Sequence, residues 1–299
     1  MSDVSRDNEA QQTFWNEPGG AAWTRWQERM DIQLGPLGLA VIEAAAPRPG
    51  ERVLDIGCGC GDTTLQTGTL VGTDGAATGV DISAPMLARA SERAAAAGLE
   101  NTRFVEGDAQ VATSSDLGGP FDLVLSRFGV MFFADPIAAF ANIASLVRPG
   151  GRLAFVCWQA PAQNSWMSDL GREVATLFPE QPPPDPHAPG PFAFADPART
   201  HDIVSAGGWA DVSVEPFTRP MQMFGTDDFD VALEGSLSIG VAARLLVNAT
   251  TEQRSEAHAM AERLLRSMWG DDGAIVDGAC WLVTAQRPAS REHRQTAPA

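Results

Sequence analysis

Glycines at alternate positions after an apolar run are the first feature of this sequence with a chemical use. In VLDIGCGCGDTTL, residues 53–65, Gly57, Gly59 and Gly61 follow a short run that contains Asp55. Only a residue without Cβ adopts positive φ at little cost or lets the main chain approach a ligand closely. We therefore expect a ligand to be held against the backbone of this loop.

Acidic residues recur at the ends of the first three predicted strands. Asp55 suits a ligand with a cationic group, and Asp81 could accept from both hydroxyls of a ribose. Asp108, in FVEGDAQ, could accept from the exocyclic amine of a base. Because ligands bind at the carboxyl ends of parallel strands, the three acids imply one ligand with an ammonium, a ribose and an adenine-like amine. S-adenosylmethionine carries all three and no phosphate.

Other uses of the loop fit the sequence less well. The dinucleotide fingerprint G-x-G-x-x-G fails at Asp62, three residues after Gly59, so an NAD-dependent oxidoreductase is the less favoured alternative. No Lys-Ser or Lys-Thr pair closes the loop as in a P-loop. Cys58 and Cys60 lack nearby Cys or His partners, so we expect no metal. An ordinary tight turn into a helix is the remaining alternative.

Strands and helices must position these residues, and the sequence predicts both. Up to Trp158, β-rich runs alternate with helical patterns. This alternation predicts parallel βαβ units with helices on both sheet faces. Ser83 and Asp135 are predicted N-caps, and Gly98 is predicted to end the helix after Ser83. The predicted strands are 52–56, 77–81, 102–106, 121–126, 152–158, 212–219 and 280–286.

Longer insertions interrupt this alternation. We expect a helix at 165–177, a helix capped by Asp196, and helices over 226–269 with Thr226 as a cap. The glycines of FWNEPGG suggest a loop that folds over the ligand. The segment QPPPDPHAPGPF, rich in proline, fits neither a helix interior nor a central strand.

Composition narrows the class of partner. The net charge of −17 disfavours a polyanion, so we expect no nucleic-acid partner. No apolar stretch reaches the roughly 20 residues of a membrane helix, and the polar amino terminus lacks a secretion signal. We therefore expect a soluble cytoplasmic protein without a membrane partner. Four cysteines in a chain of 299 residues do not form a disulfide framework.

Five motifs in order resemble those of class I S-adenosylmethionine-dependent methyltransferases, and most of all the small-molecule group that resembles ubiquinone and menaquinone biosynthesis methyltransferases. They are VLDIGCGCG, GVDISAPML, VEGDA, FDLVLSRFGVMFF and LVRPGGRLAFVCW. The resemblance implies an α/β, Rossmann-like, doubly wound sheet of seven strands, the last antiparallel, with helical cap insertions. SRFGV lacks the Pro-Pro-aromatic motif of nucleic-acid amino methyltransferases.

The resemblance also implies roles for individual residues. The glycine loop would hold the methionine moiety, Asp81 the ribose, and Asp108 the adenine edge. The remaining residues expected at the cofactor are Asp55, Ile82, Met86, Ala109, Ser126, Arg127, Phe128, Trp15 and Trp23. The two tryptophans would face the sulfonium. The acceptor is expected to contact Phe128, Met131, Trp158, Trp166, Phe192 and Met223.

Methyl transfer from S-adenosylmethionine to an O, N or C atom of a small apolar or aromatic metabolite is the function these features predict. Alignment can supply most of the catalysis, so no indispensable base is expected; His187 and His201 are candidates if one is used. A non-catalytic, regulatory S-adenosylmethionine-binding protein remains an alternative. The acceptor, the methylated atom and the oligomeric state are left open.

A single domain over residues 10–288 is expected to contain both the sheet and the insertions. Its core would comprise 46–159, 193–219 and 274–288, and the cap segments would be 10–45, 160–192 and 220–272. Residues 289–299 are expected to form a disordered tail.

Overall fold

The predicted strands form one sheet in a computed structural model that describes residues 3–179 and 185–289. Part of the proline-rich segment and residues 290–299 of the predicted tail lie outside the described residues. The strands are β1 Arg52–Ile56, β2 Ala76–Asp81, β3 Thr102–Glu106, β4 Phe121–Arg127, β5 Val147–Trp158, β6 Ala210–Gln222, β7 Trp269–Gly270 and β8 Gly273–Gln286. The strand order is β3-β2-β1-β4-β5-β8-β6, and the two-residue β7 pairs with β8.

Pairing directions confirm the predicted topology. Strands β1 to β5 are parallel to one another, whereas β8 is antiparallel to both β5 and β6. The order reverses between β1 and β4, which is the switch point where ligands bind in open α/β sheets. The ends of β1, β2 and β4 and the turn after β3 therefore meet along one edge.

Helices connect the strands, and those predicted to begin after Ser83, Asp135 and Asp196 do begin there. They are α4 Asp62–Val71, α5 Ala84–Ala97, α6 Ser114–Leu117, α7 Pro136–Leu146 and α9 Pro197–Ala206. Asp135 and Asp196 accept from backbone amides in the first turns of α7 and α9. Ser83 occupies the N-cap of α5, but its hydroxyl donates to Trp15 O at 2.6 Å, so it joins α5 to the amino-terminal segment.

The insertions are largely helical. They contain α1 Asp3–Asn16, α2 Pro18–Arg25, α3 Gln27–Ala45, α8 Ser165–Ala175, α10 Phe229–Ser238, α11 Val241–Leu246 and α12 Thr251–Met268. Helix α3 packs against β4 and β5, and α8 packs against α11 and α12. No helix among the described residues combines the length and apolar character needed to cross a bilayer.

Two local expectations are wrong. Gly19 and Gly20 lie inside α2 rather than in a loop; a Cβ on Gly20 would meet Trp15 O at 2.0 Å, so close packing explains the residue. The N-cap of α10 is Asp228, not Thr226, because the carboxylate accepts from two amides of the first turn. The Thr226 hydroxyl instead accepts from Asp228 N at 3.0 Å.

Candidate active site

The glycine loop after β1 has the backbone conformation its sequence requires. Gly57, Gly59 and Gly61 have φ values of 65°, 54° and 84°, in the left-handed region. A Cβ on Gly57 would lie 2.6 Å from Gly129 Cα, so the loops that follow β1 and β4 touch through their main chains. Gly57 and Gly59 line a cavity of about 330 Å³, within the usual range for ligand sites, whereas Gly61 caps α4 outside it.

Asp81 joins the glycine loop to the next strand end. Its carboxylate accepts from Gly59 N at 2.8 Å and from Ser83 N at 2.9 Å. Burial raises the pKa of Asp81 above its ordinary value, and these two hydrogen bonds act in the opposite direction. The residue lines the cavity and forms no ion pair with the described part of the chain. Each oxygen retains acceptor capacity for a ligand hydroxyl.

The residues expected around an adenine also lie at the cavity wall. Asp108 closes a turn, since its carboxylate accepts from Gln110 N at 2.9 Å and its carbonyl from Ala112 N at 2.9 Å. It lines the cavity together with Ile82, Met86 and Ala109. Asp108 therefore both closes a turn and lines the cavity.

Arg127 belongs to an ion-pair cluster at the methionine end of the expected site. Its guanidinium lies 2.7 Å from an Asp62 oxygen and 3.7 Å from an Asp31 oxygen. Arg93 bridges the same two acids at 2.8 Å from Asp31 and 4.0 Å from Asp62. Burial is the largest cause of the raised pKa of Asp31, and the neighbouring Asp62 raises it further. The cluster fastens α3 to the start of α4, and Arg127 and Asp31 also line the cavity.

Asp55 and Ser126 lie beneath the loop, outside the cavity lining. One Asp55 oxygen accepts from the Thr63 and Thr64 hydroxyls at 2.6 Å each, while the other is buried without a partner in the described residues. Ser126 donates to Ile56 O at 2.7 Å. The structure thus places both side chains where they support the strand ends.

Burial raises the pKa of Asp55 to about 6, with the two threonine hydroxyls opposing the shift, and this makes the stability depend on pH. The unfolded value is near 3.8, so the folded state holds the proton more tightly. This stabilising contribution is complete below about pH 4 and is lost as pH rises through about 6. Relative to Asp55→Asn, which does not titrate, wild type should lose about 1–2 kcal/mol between about pH 5 and pH 7.5.

Urea unfolding of both proteins across that range measures this difference directly. The range begins above the sequence pI of about 4.5, where the protein carries net charge. If the free energy of unfolding changes with pH equally in the two proteins, Asp55 has the same proton affinity in the folded and unfolded states.

Aromatic rings form a large part of the cavity wall. Phe128, with φ of 64°, stacks on Trp158 at 4.1 Å between centroids and 8° between planes. Trp166 meets Trp158 edge to face at 5.7 Å. On the amino-terminal side, the ring centroids of Trp15 and Trp23 lie 6.3 Å apart. Every residue expected at the acceptor lines the cavity, namely Phe128, Met131, Trp158, Trp166, Phe192 and Met223.

Part of the lining was not identified from the sequence. Helix α3 contributes Met30, Gln33 and Leu34, whose spacing places them on one helical face, and α11 contributes Arg244. The guanidinium of Arg244 lies 3.7 Å from the centroid of Phe14, joining α11 to α1 at the cavity. The apolar periodicity of α3 was the sequence feature that could have identified this helical face.

The candidate bases are not part of this cavity. His201 is exposed on α9 beside Asp202, and His187 is exposed within the proline-rich segment. Neither lines the cavity. In the described part of the chain, no three His, Cys, Asp or Glu side chains are grouped to hold a metal ion.

The chemistry of the lining fits S-adenosylmethionine. Asp81 can accept from hydroxyls, and the glycine loop exposes backbone to the same cavity. Arg127 is engaged by Asp62 and Asp31, so it does not offer a free cationic site for a phosphate. Aromatic faces suit a sulfonium. The acceptors and aromatic faces of this lining therefore match a cationic ligand with a ribose.

Comparisons with known proteins agree with this chemistry. Residues 53–151 match the family model described as a methyltransferase domain. An aklanonic acid methyltransferase of Streptomyces sp. (strain C5) is 37% identical over 120 residues, 40% of this chain and 54% of that protein. A ubiquinone/menaquinone biosynthesis C-methyltransferase, UbiE of Shewanella piezotolerans, is 32% identical over 138 residues, 46% of this chain and 52% of that protein.

The chain thus spans about half the length of these curated relatives. The crystal structure of the YcgJ protein from Bacillus subtilis has a TM-score of 0.54 and 22% identity, with coverage of 85% of this chain and 98% of that one. The structural match supports the predicted Rossmann-like fold, and the domain match confirms the predicted resemblance.

Proposed function

Because residues 53–151 carry a methyltransferase domain, we propose that this chain transfers the methyl group of S-adenosylmethionine to an O, N or C atom of a small apolar or aromatic metabolite. The observation that carries the proposal is one continuous cavity whose wall includes both the Asp81–glycine loop and the Phe128–Trp158 aromatic stack. A cofactor and an acceptor can therefore share one enclosure.

Bound S-adenosylmethionine would supply an electrophilic methyl group on a cationic sulfur. The chain's part is to position and to exclude water: Asp81 accepts from the ribose hydroxyls, and the loop at Gly57 and Gly59 holds the methionine moiety. The faces of Trp15 and Trp23 stabilise positive charge. Orientation of this kind lowers barriers by about 7–11 kcal/mol in favourable intramolecular reactions. His187 and His201 lie outside the cavity, which supports catalysis without an indispensable histidine.

We also propose that residues 10–288 act as one domain in which the cap segments enclose the acceptor. The ion pairs that link α3 to α4 and the Arg244–Phe14 contact support this arrangement. Aromatic and methionine side chains from these segments, including Trp166 and Met223, favour an apolar or aromatic acceptor. The names of the two relatives, which specify an acid and a quinone pathway, agree with a small-molecule acceptor.

Calorimetric titration with S-adenosylmethionine, followed by transfer of its isotope-labelled methyl group, tests the proposal. We expect saturable binding and label in the small-molecule fraction of a cell extract. Binding without label in any fraction would favour the regulatory alternative. Label in protein or nucleic acid would contradict the proposed acceptor class, and nicotinamide-dependent absorbance changes without S-adenosylmethionine binding would favour the oxidoreductase.

A further inference from the structure

Gln33 on α3 is a buried amide whose oxygen is hydrogen-bonded and whose nitrogen is not. Its side chain is 2% exposed, and Oε1 accepts from Phe224 N at 2.7 Å. A backbone N–H can only donate, so this bond identifies the oxygen and fixes the orientation of the amide. Within residues 3–179 and 185–289, the amide nitrogen Nε2 has no hydrogen-bond partner.

The surroundings of Gln33 make this nitrogen unusual. Gln33 lines the cavity together with the apolar side chains of Met30, Leu34 and Met223. Nε2 keeps some accessible surface, and covering it with a ligand that accepts no hydrogen bond costs about 1–3 kcal/mol. A ligand oxygen at this wall would remove that cost.

The backbone around Phe224, whose N–H donates to the Gln33 oxygen, is held in place by further contacts. Phe224 has φ of 53°, a strained value for a residue with a side chain, and its ring packs edge to face on Trp26 at 5.6 Å. Arg29 donates to Gly225 O at 2.9 Å, so α3 holds this bend through two side chains. The orientation of the Gln33 amide is thus set before a ligand binds, which lowers the cost of binding.

We infer that Gln33 determines acceptor specificity by donating from Nε2 to a carbonyl-type oxygen on an aromatic acceptor. This inference rests on the proposed function and adds the polar group that the acceptor presents. Nε2 is a donor without acceptor capacity, so it selects an oxygen of a ketone, quinone or carboxylate over a hydrocarbon edge or an ammonium. Such a donor discriminates because a ligand lacking the oxygen leaves it buried and unpaired.

Three naphthalene probes separate recognition of an oxygen from binding by aromatic area alone. They are 1-acetonaphthone, with a ketone; 1-naphthoate, with a carboxylate; and 1-ethylnaphthalene, without oxygen. Affinities are measured by calorimetry on the full chain saturated with S-adenosylhomocysteine, which cannot transfer a methyl group. We expect wild type to bind at least one oxygen-bearing probe roughly three- to tenfold more tightly than 1-ethylnaphthalene.

Two variants distinguish recognition from bracing of the bend. Gln33→Met removes both hydrogen bonds, and the oxygen preference should vanish while 1-ethylnaphthalene still binds. Gln33→Glu keeps an acceptor for Phe224 N but can donate only when protonated, so its oxygen preference should decline as pH rises. A residue that merely braces the bend would show no such pH dependence.

The experiment distinguishes failure of the Gln33 assignment from failure of the proposed function. An unchanged oxygen preference in Gln33→Met, a pH-independent preference in Gln33→Glu, or no binding of any probe to wild type would overturn the assignment of Gln33. Failure of S-adenosylhomocysteine itself to bind would refute the proposed function, and the inference with it.

Discussion

Replacing Asp81 with alanine is expected to weaken S-adenosylmethionine binding by about 100-fold, or about 2.7 kcal/mol. The carboxylate lines the cavity and is held by Gly59 N at 2.8 Å and Ser83 N at 2.9 Å. Hydrogen bonds to a charged group contribute roughly 1.5–3 kcal/mol each. Loss of the side chain removes the acceptor for the ribose and releases the loop that would hold the methionine moiety. Calorimetric titration measures the affinity.

Asp74→Ala is the matched control, because Asp74 is an exposed acid in the loop between α4 and β2. Its affinity should match that of wild type within about twofold, and thermal unfolding should show that both variants are folded. Asp81→Asn is also expected to bind weakly, since its amide NH₂ would face one of the two backbone donors. Wild-type affinity in Asp81→Ala would refute the assignment.

A change in the ligand tests the ribose contact itself. Wild type should prefer S-adenosylhomocysteine over its 2′-deoxy analogue, and Asp81→Ala should lose most of that preference. The non-additivity of the two changes, Asp81→Ala and removal of the 2′-hydroxyl, measures the direct interaction between the carboxylate and the hydroxyl. An equal preference in both proteins would mean that Asp81 acts only by organising the loop.

Local sequence signals predicted the sheet and several helix ends because they act within a few residues. Strands β1 and β3 have the predicted bounds, and α7 and α9 begin after the predicted carboxylates. Strand β5 begins at Val147 rather than at 152, since Phe121 pairs with Val147 across an irregular register. Such pairing depends on the partner strand and is not encoded in the local turn residues Pro149 to Gly151.

The position of a strand-end side chain was harder to predict than the strand itself. Asp55, Asp81 and Ser126 all belong to strand ends, but only Asp81 lines the cavity. Asp55 lies among threonine hydroxyls of α4, and Ser126 joins β4 to β1. These differences arise from which neighbouring element packs over each residue. Gln33 was missed for a related reason: its partner, Phe224 N, is distant in sequence.

Gly57→Ala is expected to cost about 3–5 kcal/mol of stability and to reduce cofactor affinity by more than about 100-fold. Gly57 has φ of 65°, and an added Cβ would lie 2.6 Å from Gly129 Cα. Both atoms are constrained by backbone, and Ser126 Oγ, which donates to Ile56 O, also accepts from Gly129 N at 3.1 Å. The loops after β1 and β4 must therefore separate at the switch point, where the cofactor is expected to bind. Denaturant unfolding and calorimetry measure the two effects.

Gly98→Ala is the control for the backbone conformation. Gly98 ends α5 in the left-handed region with φ of 66°, and an added Cβ there meets nothing within 4 Å. This variant should show only the conformational cost of about 1–2 kcal/mol, with unchanged cofactor affinity. The excess in Gly57→Ala then measures the clash between the two loops.

Gly129→Ala introduces the same clash from the opposite side. Gly129 has φ of −80°, which alanine adopts freely, but its Cβ would lie 2.4 Å from Ile56 O and 2.8 Å from Gly57 Cα. Cofactor affinity should fall as in Gly57→Ala, and the double variant should lose less than the sum because either alanine already separates the loops. Full additivity, or normal affinity in Gly129→Ala, would show that cofactor binding does not depend on the contact between the two loops.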